Sequence, residues 1–275
     1  MTPAILLSLL LSAQAPAPAI DLSPHDEQFV EVNGARLEYL DWGGTGPVLL
    51  LLPGLGSSAH VFDRLALQFT ERFHVIGLTR RGQPPSSTPA IGYDLPTLAD
   101  DIWKVMQALG INRAHLAGAG LAGSEMTRLA AQYPRRILSV VYLDVYDPAE
   151  ANDVMQDDPA RPRRPPRTSV AGRIESWWST HAEDFSAVRC PALAIFELQA
   201  SDPYVSDDDS RDLRDRADQF WRTRMADFVR HSAERFEREV PRGRAIVLDR
   251  GRGVVFQDHE MDVVMAMQRF YASLQ

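Results

Sequence analysis

Short apolar runs alternate with helically spaced segments along most of this chain. The runs are Val48–Leu52, His74–Leu78, Ala114–Ala117, Ile137–Leu143, Ala192–Phe196 and Ala245–Leu248. Continuous apolar stretches of this length suit strands buried on both faces. Helical spacing follows Pro53-Gly54-Leu55-Gly56 to about Glu71. It recurs over Leu95–Leu109 (stopped by Gly110), from a glycine-rich turn to about Tyr133, and over Glu260–Tyr271. Ahead of these, Gln28–Val32 and Arg36–Asp41 alternate around Asn33-Gly34, a hairpin signal. The alternation predicts an α/β fold, a mostly parallel sheet with helices on both faces and one short cap insertion.

Two segments depart from the pattern. Residues 146–189 hold Asp157-Asp158-Pro159-Ala160-Arg161-Pro162-Arg163-Arg164-Pro165-Pro166-Arg167, which is proline-rich, charged and aperiodic. Such a stretch suits a solvated loop, or a lid over a pocket with Trp177 and Trp178 facing inward. A charged helix is predicted over Ser210–Glu239, packed through Phe220, Trp221, Met225 and Phe228.

Composition narrows the functional classes. The chain has 275 residues, 45% of them hydrophobic, and a net charge of −8. Without a basic face, nucleic-acid binding is not expected. The single cysteine, Cys190, excludes an internal disulfide and reads as a small buried apolar residue. The apolar run Ile5–Leu11 precedes Ala13-Gln14-Ala15 and Ala17-Pro18-Ala19, as in a signal peptide of residues 1–19. This predicts export to the periplasm or outside the cell and a mature domain of 20–275. No segment is long enough to span a membrane.

The densest motif is His115-Leu116-Ala117-Gly118-Ala119-Gly120-Leu121-Ala122-Gly123. It leaves a strand, opens a helix, and has the layout of a nucleophile elbow, G-x-S-x-G. Glycine stands where the serine belongs. Near the C-terminus, Arg250-Gly251-Arg252-Gly253-Val254-Val255-Phe256 lacks a histidine. None of the seven histidines has metal-ligand spacing with Asp or Glu, so no metal is expected. No phosphate-cradling loop is present, and nothing points to a cofactor.

From about Phe29 to Phe270 the chain resembles the α/β-hydrolase superfamily. Leu51–Gly56 resembles the oxyanion loop after the third strand. Leu78-Thr79-Arg80-Arg81-Gly82 with Ser86 resembles the D-x-R-G-x-G-x-S segment, with its second glycine missing. Ala130-Ala131-Gln132-Tyr133-Pro134, Val140–Asp144 and Cys190–Ile195 follow in the family's order. The resemblance implies a cofactor-free serine esterase: a nucleophile on a strained turn, a histidine base, an orienting carboxylate and backbone oxyanion donors.

On that template Gly120 is a vacant nucleophile position and Gly253 a vacant histidine position. Leu55 and Leu121 are the candidate oxyanion amides. Asp144, ending the sixth strand, is the favoured acid, and Asp202 is the alternative. His60, Trp177 and Trp178 are pocket candidates. The expected protein is a catalytically degenerate hydrolase that binds a small apolar or ester-like ligand. The alternatives are an active ester hydrolase with a relocated nucleophile (Ser57, Ser58 or Ser124 with His60), a cofactor-independent oxygenase or lyase, and an interaction module. Protein partners are not specified by the sequence.

Overall fold

The computed structural model describes residues 23–161, 165–251 and 253–274. The signal peptide expected over 1–19 lies outside them. Eight strands form one sheet: β1 Asp26–Val32, β2 Ala35–Gly43, β3 Val48–Leu52, β4 His74–Leu78, β5 Ala114–Ala119, β6 Ile137–Leu143, β7 Ala192–Gln199 and β8 Gly243–Gly251. Their order is β1-β2-β4-β3-β5-β6-β7-β8. β1 and β2 pair antiparallel, β2 joins β4 antiparallel, and the remaining pairs are parallel.

The hairpin turn sits at Asn33 (φ 46°) and Gly34 (φ 68°), the left-handed pair a two-residue turn requires. Asn33 also anchors the turn: its amide donates to Asp100 and Asp101, each at 2.9 Å. Both acids lie on α2 (Leu95–Ala108), whose first turn is capped by the Asp94 carboxylate on Thr97 N.

The helices cover both faces. α2 and α3 (Ala122–Gln132) pack with Leu116, Val140 and Tyr142 into one core. On the other face a short turn, Ala59–Phe62, and α1 (Asp63–Leu67) join α8 (Val255–Asp258) and α9 (Glu260–Ala272) over Leu49, Leu51 and Val141. The helix anticipated to run to about Glu71 is thus two short pieces.

The segment between β6 and β7 is ordered into α4 (Pro148–Met155) and α5 (Val170–Trp178). It is therefore more than a solvated loop. Asp147 caps α4 through Ala149 N and Glu150 N, and Ser169 caps α5 through Gly172 N. The charged helix that follows β7 is divided: α6 (Arg211–Phe220), a π turn at Trp221–Met225, and α7 (Ala226–Glu239). Phe220, Trp221, Met225 and Phe228 are buried and meet Tyr146, Ala151, Val154 and Met155 of the cap segment.

Candidate active site

The chain turns sharply between β5 and α3. Gly120, at that turn, has φ +52°, in the left-handed region that strains any residue with a Cβ. A Cβ on Gly120 would meet only Gly54 Cα, at 3.9 Å. The space beside Gly120 is therefore open and faces the loop after β3. The glycines around it are confined. A Cβ on Gly118 would fall 2.8 Å from Leu52 O, and one on Gly123 would fall 2.1 Å from Val145 Cγ1.

A buried ion pair holds the two loops together. Arg80 donates to both oxygens of Glu125 on α3, at 2.6 and 2.7 Å, and to the carbonyls of Pro53 (3.0 Å) and Gly54 (3.3 Å). A second buried pair, Arg81 with Asp101 at 2.5 and 2.6 Å, fastens the segment after β4 to α2. The first pair ties the loop carrying Leu55 to the helix that begins beyond Leu121. Leu121 is fully buried, and Leu55 packs beside it with Ile174, Trp177 and Trp178.

Above Gly120 lies a cavity of about 360 Å³, within the range of small-molecule sites. Asp144 and Tyr146 line it from the sheet end, and Met155, Arg161, Glu175 and Trp178 line it from the cap segment. Tyr204 lines it from the loop after β7. Trp178 donates from Nε1 to Ser124 Oγ at 3.3 Å, which clasps the cap to the elbow helix and engages the hydroxyl of Ser124. Trp177 turns elsewhere and donates to Tyr93 O at 2.6 Å.

The two acid candidates occupy different places. Asp144 (φ +50°) ends β6 beside the cavity. Its Oδ1 accepts from Glu197 N at 2.9 Å and Tyr146 OH at 3.1 Å. The amide of Val255 also donates to it, linking Asp144 to the loop that contains Gly253. Burial pushes this carboxyl up to about 7, against those donors. Asp202 is buried under the cap, where it accepts from Tyr204 N at 2.6 Å and shares a hydrogen bond with Asp158. Burial and then the neighbouring Asp158 charge raise it to about 6. It does not line the cavity among the described residues.

His60 also lies off the cavity. Its Nδ1 is 3.2 Å from Asp63 Oδ2, its Nε2 is 3.7 Å from Glu38 Oε1, and its ring meets that of His25 edge-on. His115 is packed in the core: its Nδ1 is bonded to Ser139 Oγ at 2.7 Å, and burial lowers it to about 4. Cys190 is buried, and burial raises its thiol to about 11. Among the described residues no cluster of side chains has the composition of a metal site. No helix among them is long and apolar enough to cross a membrane.

A buried Glu197–His259 pair behind Asp144 was not apparent from local spacing. Glu197 Oε1 lies 3.2 Å from His259 Nε2. Burial, then the charges of Asp144 and Asp258, raise Glu197 to about 7. Gly251 makes room for this carboxylate, since a Cβ there would fall 1.7 Å from Glu197 Cδ. Gly253 is different. A Cβ there would meet only Asp258 Oδ2, at 3.7 Å. The clue in the sequence was a glutamate within an apolar strand, which requires a buried partner.

The sheet order, the sharp turn after β5 and the loop after β3 define a hydrolase scaffold. The chain belongs to the alpha/beta hydrolase fold family, whose sequence model matches residues 47–238. It is 34% identical over 115 residues to 2-(acetamidomethylene)succinate hydrolase of Mesorhizobium japonicum, covering 41% of each chain. It is 33% identical over 108 residues to fluoroacetate dehalogenase of a Burkholderia species, covering 38% of this chain and 36% of that one. The matches thus span about two fifths of the length of these curated relatives. The enol-lactonase of Burkholderia xenovorans LB400 superposes with a TM-score of 0.66 at 17% identity, covering 89% of this chain and all of that one.

Proposed function

We propose that this protein is a hydrolase scaffold that has lost serine–histidine chemistry and binds a small apolar or ester-like ligand above Gly120. The observation carrying this reading is the open seat at Gly120: left-handed backbone, no side chain, and 3.9 Å from the place of a Cβ to the nearest atom. Around it the parts that need no serine remain, namely the facing loop, the Asp144 carboxylate and the cavity of about 360 Å³. Nucleophilic attack needs a hydroxyl, thiol or carboxylate at the turn and a base within reach, and Gly120 and Gly253 supply neither. Ser124 is a poor substitute because its hydroxyl is engaged by Trp178. Residues 1–19 are proposed to direct export, and sequencing of the mature N-terminus should then begin at Ile20.

Hydrolysis of p-nitrophenyl acetate by the native chain beside the Gly120→Ser/Gly253→His variant tests this reading. The variant should turn over and be acylated. The native chain should show no turnover that a serine-reactive phosphonate stops. Phosphonate-sensitive turnover by the native chain would overturn the proposal and restore an active hydrolase with a relocated nucleophile.

A further inference from the structure

We infer that the ligand of this cavity carries a basic nitrogen, seated against Asp144 in the space beside the two vacant catalytic positions. The inference rests on the ligand-binding reading and names its chemistry. Asp144 is held by three neutral donors: Glu197 N, Tyr146 OH and the amide of Val255. Such donors orient a carboxylate without neutralising it. Among the described residues no cation forms an ion pair with Asp144. Its acidic neighbours Glu197 and Asp258 add negative potential, and His259 Nε2 lies 3.2 Å from Glu197 Oε1. A carboxylate that lines a cavity with no ion-paired cation among the described residues favours a cationic partner.

The walls fit the same partner. Tyr146, Trp178 and Tyr204 line the cavity, and the π faces of aromatic rings attract ammonium groups. Tyr146 brings its ring next to the carboxylate through its own hydroxyl. Among the described lining residues the cation is Arg161, which lies in the cap segment and holds Asn152 Oδ1 at 2.7 Å. A carboxylate ligand would meet the Asp144 carboxylate at the sheet end of the cavity. An amine bearing a compact apolar group meets aromatic walls and an acid floor.

Burial holds Asp144 near 7, so it is partly protonated at neutral pH. The groups facing it are Tyr146 beyond β6, Glu197 of β7 and Asp258 of α8, with His259 behind Glu197. Amine binding should then strengthen as pH rises from 6 to 8, while the amine itself stays protonated.

Calorimetric titration of the intact protein with benzylamine, benzyl alcohol and benzoate, at pH 6 and pH 8, tests the inference. At pH 8 benzylamine should bind at least tenfold tighter than benzyl alcohol, with benzoate weakest. Its affinity should rise severalfold from pH 6 to pH 8. Asp144→Asn should erase the preference, and the pH series on the native chain decides the same question if that variant does not fold. Benzyl alcohol or benzoate binding as tightly as benzylamine, or a flat pH series, would overturn the basic-nitrogen inference and leave the ligand-binding reading standing. Failure of all three to bind would overturn both.

Discussion

The frame of the elbow and its tip are both built from glycine, for opposite reasons. At Gly118 and Gly123 a methyl group would fall 2.8 Å or less from Leu52 O and Val145. At Gly120 and Gly253 the nearest atoms stand 3.9 and 3.7 Å away. The frame glycines are required by close packing of strand, helix and neighbouring loop. No neighbouring atom excludes a side chain at 120 or 253, and at Gly120 only the left-handed backbone (φ +52°) favours glycine. The difference separates a close-packed frame from open positions: a change of side chain at 120 or 253 leaves the close approach of β3, β5 and α3 unchanged. The Arg80–Glu125 pair belongs to the frame, because it bonds both the loop after β3 and the elbow helix.

Substitutions on either side of this divide should separate by size. Arg80→Met strands the buried Glu125 charge and frees the Pro53 and Gly54 carbonyls. Urea unfolding should show a loss of about 3–5 kcal/mol, and a loss below about 1 kcal/mol would remove this pair from the frame. Gly123→Ala forces its methyl into Val145 and should cost about 1–3 kcal/mol in the same assay. Gly120→Ser has room but adds a Cβ at φ +52°. It should cost about 1 kcal/mol, at the low end of backbone strain. Gly253→His, where a Cβ would only touch Asp258 Oδ2 at 3.7 Å, should stay within about 0.5 kcal/mol. Equal losses at 120 and 123 would dissolve the comparison.

The pH dependence of stability probes the floor of the cavity. Asp144 and Glu197 are raised to about 7 and Asp202 to about 6, all by burial first. A carboxyl whose folded value lies above its unfolded value, near 4, stabilises the fold below that unfolded value. Its contribution is lost as pH rises through the folded value. Melting temperature should therefore fall between about pH 5 and pH 8. Asp144→Asn should flatten part of that fall, and an unchanged slope would mean that its carboxyl is ionised throughout.

Several features of the site were legible along the chain because each is local. The apolar runs marked six strands of the sheet, and Asn33-Gly34 marked the hairpin. The spacing around Gly120 marked the elbow, since a strand, a tight turn and a helix start occupy consecutive residues. The proline-rich cap segment carried no such signal, because its two helices are short and capped individually, and their apolar residues repeat too few times to show a period. The expected continuous helix over 210–239 was divided for a related reason. A π turn at Trp221–Met225 preserves helical spacing on either side while placing Phe220, Trp221 and Met225 under the cap.

Local pattern alone determined that this protein is an α/β sheet protein with an elbow-like turn centred on Gly120, because periodicity and turn chemistry act over a few residues. Tertiary structure decided which acid faces the cavity. Asp144 and Asp202 both follow strands, yet only the order of β6, β7 and the 253 loop in space sets Asp144 beside Gly120 and Asp202 against Asp158. It also decided that Trp178 lines the cavity while Trp177 does not, that His60 turns toward Glu38, and that His259 meets Glu197. Those outcomes depend on contacts between residues far apart along the chain, where neither spacing nor propensity carries information.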